Sequence, residues 1–87
     1  MTLARQVVIQ CEDGLHARPA MQFAELVKGF RSSITLVKGK RRVDGKSTLE
    51  LLTLGVDRGS ELLVEVDGDD EQEAMEVAVN FLAKSCS

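Results

Sequence analysis

The single histidine of the chain, His16, lies in a short segment whose residue types suit phosphoryl chemistry. The turn dipeptide Asp13-Gly14 precedes it, and Pro19 follows in what should be the first turn of a helix. The backbone N–H groups of Ala17 and Arg18 would then have no partner within the helix, and the positive end of the helix dipole would add to their field. Together they predict an anion site beside an imidazole, with the planar guanidinium of Arg18 suited to phosphate oxygens.

The chemistry that fits this segment is nucleophilic attack on phosphorus by the His16 imidazole. A neutral imidazole keeps a nitrogen lone pair, and this lone pair is the nucleophile. The anion site would stabilise the phosphoryl oxygens in the transition state and in the phosphohistidine product. A lone histidine at a helix start is also commonly a cap or a surface residue, and that interpretation stays open at this point.

The elements that must position this segment alternate in type along the chain. We predict a strand over 3–10, a helix from His16 with an end signal at Gly29, strands over 33–38 and 40–44, a helix over 47–54, a strand over 61–67 and a helix from Asp70 to about Lys84. The order is βαββαβα. Three amphipathic helices can cover one face of the sheet and leave the other wet, which predicts an α+β, two-layer fold.

Length and composition exclude several classes of protein. A chain of 87 residues with 44% hydrophobic residues predicts one domain, 1–87, with a real core. Three Phe without Trp or Tyr, and a net charge of −3, disfavour binding to nucleic acid or to an anionic membrane. No apolar run could insert into a bilayer or serve as a signal peptide, so we expect a cytoplasmic protein whose Cys11 and Cys86 stay thiols. One His and two distant Cys predict no metal site, and we expect no cofactor.

Two segments resemble the signatures of a known family. Residues 14–20, GLHARPA, look like the active-centre motif of HPr, the histidine-containing phosphocarrier protein of the bacterial phosphoenolpyruvate-dependent sugar phosphotransferase system. Lys46-Ser47 and the leucines and glycine over 49–55 resemble its regulatory serine region, and the resemblance runs from about Gln6 to Lys84. It implies an HPr-like open-faced β-sandwich, a four-stranded antiparallel sheet covered on one face by three helices. It also implies a monomeric phosphocarrier rather than an enzyme.

The resemblance further implies a role for each matching residue. His16 would take phosphate on Nδ1 from the phosphorylated first enzyme of the system and pass it to a histidine of a sugar-specific IIA component, while Arg18 would hold the phosphoryl group. Ser47 matches the serine that a dedicated kinase phosphorylates in many members, so a Ser kinase/phosphorylase would be a further partner. The positions that match partner contacts are Ala17, Ala20, Lys28, Lys46, Leu49 and Leu52.

The region around Ser47 also has a purely structural explanation. Ser47-Thr48-Leu49-Glu50 fits a capping box, in which the Ser side chain accepts a helix N–H and Glu50 reaches back. A two-turn helix cannot bury Leu49, Leu51, Leu52 and Leu54 together, so we expect Leu49 and Leu52 to remain exposed, with Ala17 and Ala20, as a docking patch. Better-known HPr proteins have a small or basic residue where this chain has Glu50.

Some alternatives remain open. A nitrogen-branch or regulatory HPr-like protein would act mainly by docking to partner proteins; the catabolite-control type lacks the active-site histidine, so His16 argues for transfer. The basic run Lys38–Arg42 is expected to be a solvated hairpin rather than a nucleic-acid patch. Asp70 is expected to cap the last helix, with Glu73 at its third position.

Overall fold

The computed structural model describes residues 2–10, 14 and 16–83 of the chain. The elements come in the predicted order: β1 (Thr2–Val8), α1 (Ala17–Val27), β2 (Ser33–Lys38), β3 (Arg41–Asp44), α2 (Thr48–Thr53), β4 (Glu61–Asp67) and α3 (Glu71–Ala83). β1 ends at Val8, two residues before its predicted end. The predicted end of the last helix at Lys84 and the two cysteines lie outside the described residues.

The strands form one antiparallel sheet in the order β1-β4-β2-β3. Alternation along each strand decides which side chains face the helices, because successive side chains of a strand point to opposite faces. Ile34 and Leu36 of β2 and Val43 of β3 face inward with the apolar residues of β4: Leu62, Val64 and Val66. The α+β prediction is therefore confirmed, with a wet outer face that carries an ion pair between Arg42 and Glu65.

The three helices cover the inner face of the sheet. α1 and α3 do so with residues spaced three and four apart, the spacing of a single helical stripe, and the short α2 buries one residue. The buried residues are Ala20, Phe23, Ala24 and Val27 of α1, Leu51 of α2, and Ala74, Met75, Ala78 and Leu82 of α3. Phe23 of α1 meets Phe81 of α3 with ring centroids 5.7 Å apart. In the described ranges, every helix is too short or too polar to cross a bilayer.

Asp70 stands at the N-cap position of α3, as predicted, since its carbonyl accepts the Ala74 N–H at 2.9 Å. Its side chain has a further role and crosses to the loop between α1 and β2. Oδ1 accepts the Ser32 hydroxyl at 2.5 Å and the Ser32 N–H at 2.9 Å, and Oδ2 accepts the Arg31 N–H at 2.9 Å. The hydroxyl of Ser32, followed by these N–H groups, lowers the pKa of Asp70 from 3.8 to about 2, because each bond favours the carboxylate form.

We predict that Asp70→Asn destabilises the fold in a pH-dependent way. The amide would turn a donor toward a backbone N–H that now has an acceptor. Because the folded pKa lies below the unfolded value of about 3.9, the stabilisation by Asp70 is complete above that value and is lost as the pH falls through about 2. Thermal melts should therefore show a lower Tm for the variant at pH 7 and a gap that closes from about pH 4 toward pH 2. Asp69→Asn, an exposed neighbour with the same charge change, is the control; a gap at Asp70 that stays constant across pH would contradict the prediction.

Candidate functional site

The segment that leads into α1 is held against the loop between α2 and β4 through Gly14. Gly14 is buried at φ +72°, and a Cβ built on it would lie 2.1 Å from the Val56 carbonyl oxygen. Only glycine fits this place, because the backbone conformation and the close approach each exclude a side chain. The same loop also bonds to Ile9, whose N–H donates to the Ser60 carbonyl and whose carbonyl accepts the Gly59 N–H, both at 2.9 Å. Ile9 and Gly14 are thus both held by the loop between α2 and β4.

His16 occupies the N-cap position of α1. Its backbone is extended (φ −83°, ψ −171°), and its carbonyl accepts the Ala20 N–H at 2.9 Å, which starts the helical hydrogen-bond pattern. In the described part of the chain, no side chain caps this helix start, and the His16 residue itself is exposed. The imidazole is therefore not used as a cap and faces solvent at the helix start.

The backbone groups at the start of α1 have the arrangement that the predicted anion site requires. Ala17 and Arg18 are the first and second helical residues, Pro19 has no N–H, and the Ala20 N–H already bonds to His16. The N–H groups of Ala17 and Arg18 therefore precede the first helical bond and have no acceptor within the helix. The first turn of α1 carries no acidic residue, and the Arg18 side chain is exposed. This arrangement can bind an anion with two N–H groups, a helix dipole and a guanidinium.

One of the predicted docking residues is not at the surface. Ala17 is exposed, but Ala20 has no exposed surface. Ala20 precedes Phe23, Ala24 and Val27 at the three-, four- and seven-residue spacing of the buried stripe, so its side chain faces the sheet. The prediction that Ala20 is exposed for partner contact is therefore wrong.

The leucines of α2 divide as predicted. Leu51 and Leu54 are buried, whereas Leu49 is 78% and Leu52 is 41% exposed. The reason is geometric, since a six-residue helix turns only one side toward its neighbours. Leu49 and Leu52 are thus available for contact with a partner.

Two further exposed apolar side chains lie on α1 and were not among the predicted docking residues. Met21 is 54% and Leu26 is 46% exposed. The signal that could have identified them is their spacing: both are apolar, yet both fall outside the i, i+3, i+4 stripe that α1 buries.

Ser47 caps α2, but Glu50 does not complete the capping box. The Ser47 hydroxyl accepts the Glu50 N–H at 3.4 Å, as predicted. The Glu50 carboxylate instead accepts the Asp44 N–H at 3.3 Å, while the Ser47 N–H donates to the Asp44 carbonyl at 3.1 Å. The chain turns tightly between β3 and α2, and this turn places the Asp44 carbonyl where it accepts the Ser47 N–H in place of the Glu50 carboxylate.

The two predicted docking lysines have different surroundings. The half-buried Lys46 donates from Nζ to the Phe30 carbonyl at 2.6 Å, just beyond the end of α1. Lys28 is exposed and pairs with Glu25 at 3.1 Å. α1 is roughly 16 Å long, so Lys46 and the adjacent Ser47 lie toward the end of α1 that is remote from His16.

In residues 2–10, 14 and 16–83, no three His, Cys, Asp or Glu side chains come close enough together to hold a metal ion. The arrangement around His16 offers hydrogen-bond donors and positive charge, which suit an anion rather than a cation.

Comparison with known proteins gives consistent relatives over most of the chain. The family model described as "PTS HPr component phosphorylation site" matches residues 3–84. The phosphocarrier protein HPr of Haemophilus influenzae is 41% identical over 79 residues, which cover 91% of this chain and 93% of that protein. The HPr-like protein Crh of Halalkalibacterium halodurans is 38% identical over 80 residues, covering 92% of this chain and 95% of the relative.

Solved structures agree with this result. The crystal structure of HPr from Bacillus anthracis matches with a TM-score of 0.90 at 27% identity, and the match covers 93% of this chain and 96% of that chain. HPr from Thermoanaerobacter tengcongensis, solved as a dimer, matches with a TM-score of 0.72 at 35% identity over 88% of this chain and 91% of that chain. These structures share the four-stranded open sheet and three helices described above.

Proposed function

The chain belongs to the HPr family of phosphocarrier proteins, and from that premise we propose that its carrier group is the His16 imidazole. His16 would accept a phosphoryl group on Nδ1 from the phosphorylated first enzyme of the phosphotransferase system and pass it to a IIA component. The observation that carries this proposal is the exposed His16 ring at the N-cap of α1, not used as a cap, beside two backbone N–H groups without helical acceptors.

The geometry suggests how each group would act in the transfer. The lone pair of the ring nitrogen attacks phosphorus, the new N–P bond forms, and the bond from phosphorus to the donor nitrogen breaks with its electron pair returning to the donor. Negative charge on the three phosphoryl oxygens is met by the N–H groups of Ala17 and Arg18 and by the Arg18 guanidinium. Because α1 fixes these N–H groups before the reaction, they stabilise the charge without reorganisation. Transfer to the IIA histidine is the same step in the other direction.

A docking surface must bring the two proteins together around the ring. We propose that exposed Leu49 and Leu52 contact the partner, with Ala17 close to the ring and with Lys28 and Lys46 as basic contacts. Apolar contacts of this kind exclude water from the reacting groups and so strengthen the charge interactions inside the interface. The exposure of the two leucines supports this role.

We also propose that phosphorylation of Ser47 by a Ser kinase/phosphorylase regulates docking. A phosphate at the start of α2 would add a charge of about −2 to the surface that the leucines share. Ser47 lies toward the end of α1 remote from His16, so the added charge would act on the partner rather than on the ring itself. The carboxylates of Asp44 and Glu50 already lie beside Ser47, and the phosphate would strengthen their combined negative field.

A second candidate is a nitrogen-branch or regulatory protein that acts by docking alone. The similarity to the Crh protein of Halalkalibacterium halodurans favours this candidate. The helix start around His16 favours transfer, since a docking module needs no nucleophile beside an anion site. As predicted from the sequence, we propose that the carrier works as a cytoplasmic monomer without a cofactor and without nucleic acid.

Transfer should depend on the ring of His16. With phosphoenolpyruvate and the first enzyme, the wild type should gain one acid-labile phosphate, measured by intact-protein mass spectrometry, and His16→Ala should gain none. The side chain is exposed, so the variant should melt at nearly the wild-type temperature. A folded His16→Ala protein that is still phosphorylated under these conditions would exclude the assignment, and a wild type that binds the first enzyme but gains no phosphate would favour the docking-only candidate.

Ser47→Asp should keep the fold and slow the phosphorylation of His16. Asp is a good N-cap, so α2 should survive, while the added charge repels an acidic partner and lowers the association rate most at low salt. Ser47→Ala is the matched control: it should cost about 1 kcal/mol of stability through loss of the cap but transfer almost normally. Melting temperatures and transfer rates at two salt concentrations test both, and equal low-salt rates for Ser47→Asp and wild type would leave Ser47 as a cap only.

A further inference from the structure

The hairpin between β2 and β3 lies at the same end of the sheet as His16. The short segment 55–58, between α2 and β4, lies between the two. On one side Val56 packs against Gly14, and on the other side the Lys38 ammonium donates to the Gly55 carbonyl. Lys38 is the last residue of β2 and pairs with Arg41, the first residue of β3, so the hairpin turn comes directly after this contact.

Most of the charged side chains described at this end are basic and exposed, against two carboxylates, those of Asp57 and Glu61. Lys40 lies in the hairpin turn, Arg41 begins β3, Arg58 lies in the turn before β4, and Arg18 lies beside His16; all four are exposed. Among the described residues, the ion pairs are Lys28 with Glu25 and Arg42 with Glu65. None of the four cations at this end has a described carboxylate at ion-pair distance. Their charge is therefore directed at solvent or at a partner.

The opposite end of the molecule is acidic. β4 and β3 both end there, and α3 begins there. The acidic residues on these parts are Asp44, Asp67, Asp69, Asp70, Glu71 and Glu73. The chain as a whole carries a net charge of −3, so an acidic protein that approaches from most directions is repelled. An acidic protein is therefore repelled least when it approaches the His16 end.

We propose that Lys40, Arg41 and Arg58 form a basic contact zone that steers an acidic protein surface bearing a phosphohistidine onto His16. This inference rests on the proposed function, since it concerns the partner that delivers the phosphoryl group. An acidic partner surface is larger than the reacting groups, so cations elsewhere at this end of the sheet can attract it as it approaches and raise the rate of productive encounter. The zone adds to the leucine patch of α2, because it is built from the sheet end and not from the helices.

A protein partner fits these observations better than a nucleic acid. The zone has no aromatic side chain on which a base could stack, and the few Phe residues of the chain are buried or half-buried. The acidic remainder of the surface would repel a long polyanion, whereas a compact partner can contact the basic end alone.

The test compares two variants that lose the same charge at different places. Lys40→Gln/Arg41→Gln removes two cations from the basic zone, and Arg5→Gln/Arg31→Gln removes two exposed cations from the middle of β1 and from the opposite end. The second-order rate of phosphorylation by the first enzyme is measured at 20 mM and 300 mM salt, about the range over which screening becomes strong. The hairpin variant should be slower by about three- to tenfold at low salt and close to wild type at high salt, with a much smaller effect in the control variant.

If the two variants lose the same fraction of the phosphorylation rate at low salt, the effect comes from overall charge and the proposal is wrong. The proposal is also wrong if the hairpin variant matches wild type at low salt. Affinity for the unphosphorylated first enzyme is measured by calorimetry in parallel. If wild type binds the enzyme but gains no phosphate, the proposed function fails, and the affinities of the two variants still decide the basic zone. If a labelled single-stranded oligonucleotide binds wild type and not the hairpin variant, while binding to the first enzyme is unchanged, the zone is a nucleic-acid site and the inference is wrong.

Discussion

The close approach of Gly14 to the Val56 carbonyl is the constraint on which the rest of the site depends. No side chain fits between these two backbones, and the positive φ of Gly14 adds a second reason for glycine. The contact fixes where α1 begins, and the start of α1 fixes the His16 ring and the two N–H groups that follow it. It also holds segment 55–58 beside the chain just before α1, and through Lys38 this segment links the basic hairpin to the same end of the sheet.

The core and the site place different demands on the same helices. α1 and α3 bury one stripe each to cover the sheet, and this burial holds their ends in place. The start of α1 is uncapped and exposed, whereas lysine ammonium groups bind carbonyls just beyond the ends of α1 and α2: Lys46 at Phe30 and Lys38 at Gly55. The proposed carrier role of His16 would use this asymmetry, because a reactive group must be accessible to two partners in turn while its backbone donors stay fixed.

Periodicity predicted the elements and most of the core, because a buried stripe or an alternating strand leaves its pattern in the sequence. Where the sequence did not predict the position of a side chain, a contact between distant parts of the chain or a place in the core determined it. Ala20 was assigned to docking by its match to a motif, although its spacing from Phe23 and Val27 already placed it in the core. Asp70 stands before α3 as predicted, but nothing local in the sequence shows that its carboxylate binds the Ser32 hydroxyl of a distant loop. The approach of Gly14 to Val56 leaves no local pattern, so only the structure shows it.

The most direct test of this account compares Gly14→Ala with Gly39→Ala. Both glycines have positive φ, 72° and 62°, but a Cβ at Gly39 would meet nothing within 4 Å, whereas one at Gly14 would collide with Val56. The measurement is the rate of His16 phosphorylation by the first enzyme, for folded protein verified by circular dichroism. Both rates are measured at about 300 mM salt, where the charges of the hairpin around Gly39 are screened. Gly39→Ala should lose about 1 kcal/mol of stability to backbone strain and transfer at nearly the wild-type rate. Gly14→Ala should displace the start of α1 and transfer far more slowly even where it remains folded; a folded Gly14→Ala protein that transfers at the wild-type rate would contradict the account.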